Sequence, residues 1–379
     1  MAKIRFGIVG CGGIATGKHA DMLTRHFSAR VEITAFCDII PERAEQFRGR
    51  FGTADAKVYT DYHDLVNESS VDVVHVCTPN MTHAKITCAA FAAGKHVYCE
   101  KPMSCSTADG QLMIDAWKKS GRLFTIGLQN RHRLDVLALH RLMKEDEFGK
   151  IYYAKARGVT RRRVPDHGSY LIKDEQGGGA LIDSGPHCID IALYLMNNYK
   201  PLSCLAVTYD YLGKGSEPGT QGNYLKPWDN KKFTVEDSAI ALVKMQDGSV
   251  LYVESAWAMN INQWDYAQAT ICGTKAGASI DDGVAGDKPF KAVVNKVMGG
   301  QRADITLDTK WPMGMVPMGM GDFQAANYMN MGSWLDALEG KGDVLVKPEE
   351  ALVVTKIIEG IYKSAESGRE YFFDQQTAL

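Results

Sequence analysis

Gly10-Cys11-Gly12-Gly13-Ile14-Ala15 puts small residues at the first, third and sixth positions of a stretch able to hold a phosphate. Gly10 permits a tight turn, Gly12 lets a pyrophosphate approach the backbone, and Ala15 lets a helix pack closely on a strand. Gly13 and Ile14 complete the loop. A carboxylate follows at Asp38, 23 residues beyond Ala15. At that distance an acid accepts hydrogen bonds from an adenosine ribose and repels a 2′-phosphate, so NAD is expected over NADP. Arg43, close by, is a feature that would instead favour the 2′-phosphate. Asp38 also reads as a simple cap for a helix opening at Pro41, and the glycines as a plain structural turn. Further on, Asp183 and His187 stand four residues apart. One helical turn separates them, so a carboxylate there can orient an imidazole that titrates near neutrality.

The elements around these residues read as strand and helix in alternation. Lys3 to Val9 is a mostly apolar strand before the glycines, and Thr16 to His26 a helix after them. That order is what gives the fingerprint meaning. Val31 to Cys37 is a second strand, ended by Asp38. Pro41 to Phe51 and Asp61 to Asn67 are helices. Val71 to Cys77 is a buried strand followed by Thr78-Pro79-Asn80, and Thr82 to Ala93 a helix stopped by Gly94. His96 to Cys99 leads into Glu100-Lys101-Pro102. Ser106 to Ser120 is helical and Leu123 to Gly127 a strand. The pattern predicts a doubly wound parallel sheet, whose ligands bind beyond the carboxyl ends of the strands. Gly10, Asp38, Thr78 and Glu100 all lie at such ends.

Gly-Ile-Val-Gly-Cys-Gly-Gly-Ile-Ala at 7–15, Cys-Thr-Pro-Asn-Met-Thr-His at 77–83 and Glu-Lys-Pro at 100–102 carry a specific resemblance. So do Gly177-Gly178-Gly179, Asp183-Ser184-Gly185-Pro186-His187 and Asp190. Together they resemble the glucose-fructose oxidoreductase / inositol dehydrogenase / rhizopine-catabolism (Gfo/Idh/MocA) family. The resemblance implies an α/β fold: an N-terminal Rossmann domain, then a C-terminal α+β domain on an open, mainly antiparallel sheet. It implies NAD(P)-dependent oxidation or reduction of sugars and cyclitols, usually in oligomers. By match to the motif, Lys101, Asp183 and His187 are the catalytic candidates. Thr78, Pro79, Asn80, His83 and Glu100 would flank the nicotinamide end of the cofactor, with Lys101 and Gln129 counted among the cofactor contacts.

The residue types suit that chemistry. Oxidising a secondary alcohol removes a hydride from carbon and a proton from oxygen, and the protein must take the proton. Histidine does so near neutral pH. Lys101 can orient the hydroxyl and favour a developing alkoxide. Each also has an ordinary reading: a solvated strand-end lysine, an interior histidine, a helix-capping aspartate. Pro186 suits a first turn but not an established helix, so Asp183 and His187 are expected to straddle a helix start. Arg161-Arg162-Arg163 reads as a solvated charge run; Arg163 and His167 are weaker candidates for substrate contact.

A boundary is placed near 128: residues 1–128 as the NAD-binding domain, 129–379 for substrate and oligomerisation. Gln129 to Arg133 lies between them and Leu134 to Lys144 is helical, packing Leu137, Leu139 and Leu142. Beyond, Ile151 to Val159, Cys204 to Tyr211, Ala267 to Cys272 and Gly277 to Asp281 read as strands, and Ser238 to Met245 with Val250 to Ala258 as a hairpin. Helices are expected at 187–196, 324–338 and 348–367. Both faces of the hairpin look partly apolar and need cover; a helix and a second subunit can supply it, so a homo-oligomer, dimer or tetramer, is expected. The segments 213–232 and 311–320, the second with Pro-Met-Gly-Met twice, read as loops.

The formal net charge of −2 over 379 residues leaves no broad basic field for nucleic acid. No apolar run approaches the ~18 residues of a membrane span. The chain opens directly into a strand, without a signal-like segment, and its nine cysteines form no C-x-x-C pair. Reduced cysteines in a cytoplasm are expected, with no metal. The leading expectation is a NAD-dependent dehydrogenase of a sugar, glycoside or cyclitol ring hydroxyl. C3 of a glucosyl unit comes first by family analogy. A redox-neutral NAD-dependent glycosidase and a non-catalytic nucleotide sensor are the rivals.

Overall fold

The computed structural model describes residues 2–161, 163–165, 168–215, 229–262, 265–281 and 290–374. The chain forms two compact units. Residues 1–127 and 327–352 make the first, and 128–326 and 353–379 the second. The expected division near 128 is thus crossed by one later segment that rejoins the first unit.

In the first unit six strands, β1 (Ile4–Val9), β2 (Val31–Cys37), β3 (Lys57–Tyr59), β4 (Val73–Val76), β5 (His96–Cys99) and β6 (Phe124–Ile126), form a sheet in the order β3-β2-β1-β4-β5-β6. Every pairing is parallel. β3 is the strand that the sequence reading lacks: Lys-Val-Tyr at a sheet edge is half exposed and carries no apolar run. Strands buried on both faces need cover on both. Phe6, Ile8, Ile33, Phe36 and Tyr98 pack with Leu23, Phe27, Phe47 and Phe51, and with Met331, Trp334 and Leu335 of the returning segment. The return is also polar. Tyr98 donates to Asn330 Oδ1 at 2.6 Å, Thr125 to the Val346 carbonyl at 3.3 Å, and Arg30 pairs with Asp336 and Glu339.

The second unit holds a nine-stranded mixed sheet: β7 (Ile151–Val159), β8 (Pro201–Tyr209), β9 (Ser238–Met245), β10 (Val250–Ala256), β11 (Asp265–Gly273), β12 (Ala276–Asp281), β13 (Lys291–Met298), β14 (Gln301–Thr306) and β15 (Tyr371–Phe372). Its order is β14-β13-β12-β11-β7-β10-β9-β8-β15, antiparallel except where β10 runs parallel to β7. The hairpin read from sequence is β9–β10, and β13–β14 is a second one. Gly299 and Gly300, both with positive φ, turn it in two residues. Register sorts the side chains into rows. Ala206, Ala241, Val253, Ala156 and Ala269 line the inner face.

One helix, Ala180–Met196, covers that inner face, and every residue in it except Asp183 is buried. It starts earlier than the sequence reading allows and carries Pro186 in its interior. The lost N–H of Pro186 is offset by a strong start. The buried Glu236 carboxylate accepts from the N–H groups of Gly179 (2.9 Å) and Leu181 (2.9 Å), and from the Tyr362 hydroxyl (2.9 Å). These are helix-end donors that otherwise lack partners. The preceding glycines leave room for this. A Cβ at Gly178 would fall 2.1 Å from the Tyr362 hydroxyl, and one at Gly179 1.9 Å from the Glu236 carbonyl. The other expected helices are Leu134–Lys144, Asp322–Leu338 and Pro348–Ser367. In the first of these Val136 and Leu139 go fully inside, and Leu137 and Leu142 only partly.

Replacing Glu236 by alanine orphans those donors and should lower unfolding stability by roughly 2–4 kcal/mol, with a smaller loss for Glu236→Gln, which keeps an acceptor. Equilibrium denaturation in guanidinium checks both; equal midpoints for wild type and Glu236→Ala would refute the capping role.

Candidate functional site

The glycine loop sits where β1 ends. Gly10 has φ +92°, and its position admits no side chain, since a Cβ would lie 2.6 Å from the Cys77 carbonyl oxygen. Gly12 and Gly13 differ. A Cβ on either meets nothing within 4 Å. Their bareness serves no internal packing and leaves the backbone open to an outside group, as a phosphate cradle requires. Ala15 is fully buried, the small residue under the loop, and Ile14 is 47% exposed.

Asp38, at the end of β2, is buried and locked to the same loop. Its Oδ2 accepts from the Cys11 N–H at 2.8 Å and its Oδ1 from the Ile40 N–H at 2.9 Å. It therefore braces the cradle as well as standing at the position of a ribose acceptor. Burial pushes the neighbouring thiols up, Cys37 to about 12 and Cys11 further, so neither supplies a thiolate at neutral pH.

Beyond β4, Thr78 accepts a hydrogen bond from Thr82 at 2.6 Å, Pro79 is exposed and Asn80 opens a short 3₁₀ turn. His83 is fully buried. Its Nε2 lies 2.9 Å from the Thr78 carbonyl and its Nδ1 2.8 Å from the Pro102 carbonyl. It thus ties the turn after β4 to the turn after β5. Burial lowers the pKa of this ring and the two carbonyls pull the other way. Glu100 is also buried, held by Lys18 and His19, each 2.7 Å from its Oε1. Lys101, next to it, is partly exposed. The first unit thus gathers Gly10, Gly12, Gly13, Ile14, Asp38, Thr78, Pro79, Asn80, His83, Glu100 and Lys101 at the carboxyl ends of its strands. Gln129 lies in the second unit, buried in the 3₁₀ turn Gln129–His132.

In the second unit Asp183 and His187 occupy consecutive turns of the central helix. Asp183 is its one partly exposed residue, and its Oδ2 accepts from the Trp257 indole N–H at 2.9 Å. Trp257 is fixed in turn: its carbonyl accepts from the Arg163 N–H at 2.8 Å and the Thr160 hydroxyl at 2.7 Å. Arg163 thereby joins the Asp183 cluster through its backbone. The His187 ring lies 5.4 Å from that of Tyr266, which meets Phe323 edge-on at 6.4 Å; Tyr170 meets Trp257 at 6.4 Å. Gly158 lets β7 and β11 approach closely here, since a Cβ would fall 2.9 Å from the Tyr266 carbonyl. His167 lies outside the described residues.

Trp257, Tyr266, Lys18, His19 and Glu236 are parts of these clusters that the sequence reading did not single out. Lys18 and His19 carried a signal: two polar residues where the helix after the glycine loop should face a buried sheet. Trp257 carried none beyond ending an apolar strand.

Two family profiles match the chain. Residues 4–128 match the oxidoreductase family, NAD-binding Rossmann fold, and residues 140–372 the oxidoreductase family, C-terminal alpha/beta domain. The chain is 28% identical over 369 residues to a D-glucoside 3-dehydrogenase of Escherichia coli (strain K12), covering 97% of each. It is 34% identical over 199 residues to an inositol 2-dehydrogenase of Salmonella paratyphi B, covering 52% of this chain and 56% of that one. Among solved structures, levoglucosan dehydrogenase in complex with NADH aligns with a TM-score of 0.78 at 21% identity, covering 99% of this chain and 100% of that one. With both halves matched in order along most of its length, this chain belongs to the Gfo/Idh/MocA family of oxidoreductases.

Proposed function

We propose that the protein is a NAD-dependent dehydrogenase acting on a secondary ring hydroxyl of a sugar, glycoside or cyclitol, with C3 of a glucosyl unit the first candidate. The observation that carries this reading is the Asp183–His187 pair on one unbroken helix, its carboxylate held by Trp257 beside a group of aromatic rings. Full-length similarity to a D-glucoside 3-dehydrogenase supports the substrate class.

The open backbone at Gly12 and Gly13 would hold the NAD pyrophosphate, and the nicotinamide would supply the hydride acceptor. The chain supplies everything else. Lys101 hydrogen-bonds the substrate oxygen and stabilises its developing negative charge. His187 takes the hydroxyl proton on its imidazole. Asp183, its orientation set by the Trp257 N–H, stands one helical turn before His187, and its charge favours the cationic form of the imidazole. Tyr266, partly exposed, suits the apolar C–H face of a sugar ring, while Trp257 is buried behind Asp183. Asp38 at the end of β2 favours NAD over NADP, because a carboxylate there repels a 2′-phosphate. All nine cysteines carry free thiols, which fits a cytoplasmic enzyme.

A second copy of the chain is the proposed cover for the outer face of the nine-stranded sheet. There Leu205, Leu242, Tyr252 and Lys155 form one row, and Val207, Ile240, Glu254 and Arg157 the next. Leu205 and Leu242 are 55% and 42% exposed, and Glu254 pairs with Arg157 at 3.0 Å. An apolar patch beside charges of both signs is self-complementary under a two-fold axis.

A panel of sugars, glucosides and inositols with NAD, followed by absorbance of the reduced coenzyme, tests the activity. Lys101→Met and His187→Asn should each lower kcat by about 10²–10⁴-fold while NADH binding persists. Unchanged turnover in both overturns the site. Sugar release without net NADH favours the redox-neutral glycosidase, and nucleotide binding with no turnover of any compound favours the sensor.

Gly12→Ala should leave thermal stability unchanged and weaken NADH binding by about tenfold or more, equivalent to ~1.4 kcal/mol. Wild-type affinity in a fluorescence titration would remove the loop from the coenzyme site. Leu205→Arg combined with Leu242→Arg should convert the assembly to monomer by sedimentation. An assembly unchanged by that pair places the contact elsewhere.

A further inference from the structure

The helix after the glycine loop begins with a π-helical segment, Ala15–Ala20. Two polar neighbours on it, Lys18 and His19, are both buried. On a regular helix adjacent residues diverge and do not face a common point. Here both reach one atom: Lys18 Nζ and His19 Nε2 each lie 2.7 Å from Glu100 Oε1. Widened turns of this type are frequent at functional sites. Lys18 Nζ also donates to the Gly127 carbonyl at 3.1 Å. Gly127 makes room for the arrangement, since a Cβ there would lie 2.9 Å from both Glu100 oxygens. The carboxylate is therefore clamped between the ends of β5 and β6 and the segment that follows the phosphate cradle.

The hydrogen bonds have a direction. An ionised Glu100 can only accept, so His19 Nε2 carries a proton and donates it. With the ring neutral, His19 Nδ1 is an acceptor, and His75 Nδ1, 2.8 Å away, donates to it. Burial lowers the pKa of both rings and keeps them neutral. The chain His75 to His19 to Glu100 thus points its donors one way, towards the carboxylate. It ends at His75 Nε2, which is buried without a hydrogen-bond partner.

This is a costly arrangement if stability is all it serves. A buried ion pair is often matched or bettered by apolar side chains of similar volume, and an orphaned ring nitrogen adds a desolvation penalty. What the network does hold is the turn after β5. The Lys101 N–H lies 3.4 Å from Glu100 Oε2, the Glu100 N–H donates to the Val76 carbonyl at 2.9 Å, and His83 faces the Pro102 carbonyl. Lys101 is flanked on both sides by anchored residues.

We propose that Lys18 and His19 are positioning residues for Lys101, acting through the Glu100 carboxylate and linking the segment behind the glycine loop to the lysine-bearing turn. The proposal rests on the reading of Lys101 as the residue that contacts the substrate oxygen.

The test uses the full-length protein and the neutral pair Lys18→Met with Glu100→Gln, which removes both charges and leaves neither unpaired. Thermal unfolding should stay near that of the wild type. In the coenzyme-free protein the pH dependence of Lys101 acetylation, read by mass spectrometry of its peptide, should shift severalfold while other lysines stay unchanged. With NAD and substrate, kcat should fall by up to about 100-fold, with little change in substrate KM. In a Lys101→Met background the same pair should add almost no further loss, because the two changes act through one group. His19→Gln, which keeps a donor within reach of Glu100, should retain more kcat than His19→Leu.

Unchanged acetylation and kcat in a folded neutral pair overturn the proposal. So does a full additional loss in the Lys101→Met background, the signature of a merely structural role. A failure of the underlying reading looks different: Lys101→Met alone would then keep wild-type turnover.

Discussion

A carboxylate removed from water must be met by donors or cations at nearly every lone pair, and this protein has put that constraint at the centre of both its units. In the first unit the carboxylate is Glu100, met by Lys18 and His19. The donors hold it well below the usual carboxylate range despite burial, with the Lys18 charge as the largest favourable influence. In the second unit it is Glu236, met by two backbone N–H groups and a tyrosine hydroxyl, and here burial wins and raises it. The contrast follows from the partners. A cation compensates a buried charge more fully than neutral donors do. Each glutamate fixes the start or end of an element that carries candidate chemistry: the turn bearing Lys101, and the helix bearing Asp183 and His187.

Two buried arginines obey the same constraint. Arg131 lies over Tyr194 and pairs with Asp190 at 2.6 Å, and Arg133 lies over Phe290 and pairs with Asp135 at 2.6 Å. Planar guanidinium groups can satisfy a carboxylate edge-on while an aromatic ring covers the face. Residues 129–133, polar in composition, are in this way interior rather than a solvated connection.

The alternating sheet of the first unit was legible because period, turn residues and length agree there. Gly10, Asp38, Thr78 and Glu100 fell at strand ends by sequence alone, and the structure puts them at those ends. β3 escaped because three half-exposed residues carry no periodic signal. β13 and β14 escaped although Gly299-Gly300 between alternating runs is a hairpin cue; the polar outer residues of those strands masked it. The start of the helix at Ala180 was not legible, because Glu236, which caps it, lies more than fifty residues along the chain. Proline at 186 pointed to a helix start only for want of that partner. Trp257 shows the same limit: a single indole N–H acquires meaning only once a distant carboxylate is brought beside it.

The return of residues 327–352 to the first unit has a consequence for how the protein is made. Trp334, Met331 and Leu335 fill the apolar floor on which Phe6 and Tyr98 rest, and Asn330 answers the Tyr98 hydroxyl. During vectorial synthesis the first third of the chain leaves the ribosome long before this plug exists. For most of translation the dinucleotide-binding half carries an open apolar seat, the kind of surface that holdase chaperones engage. Closing it late makes the nucleotide-binding half wait for nearly the whole polypeptide before its interior is sealed.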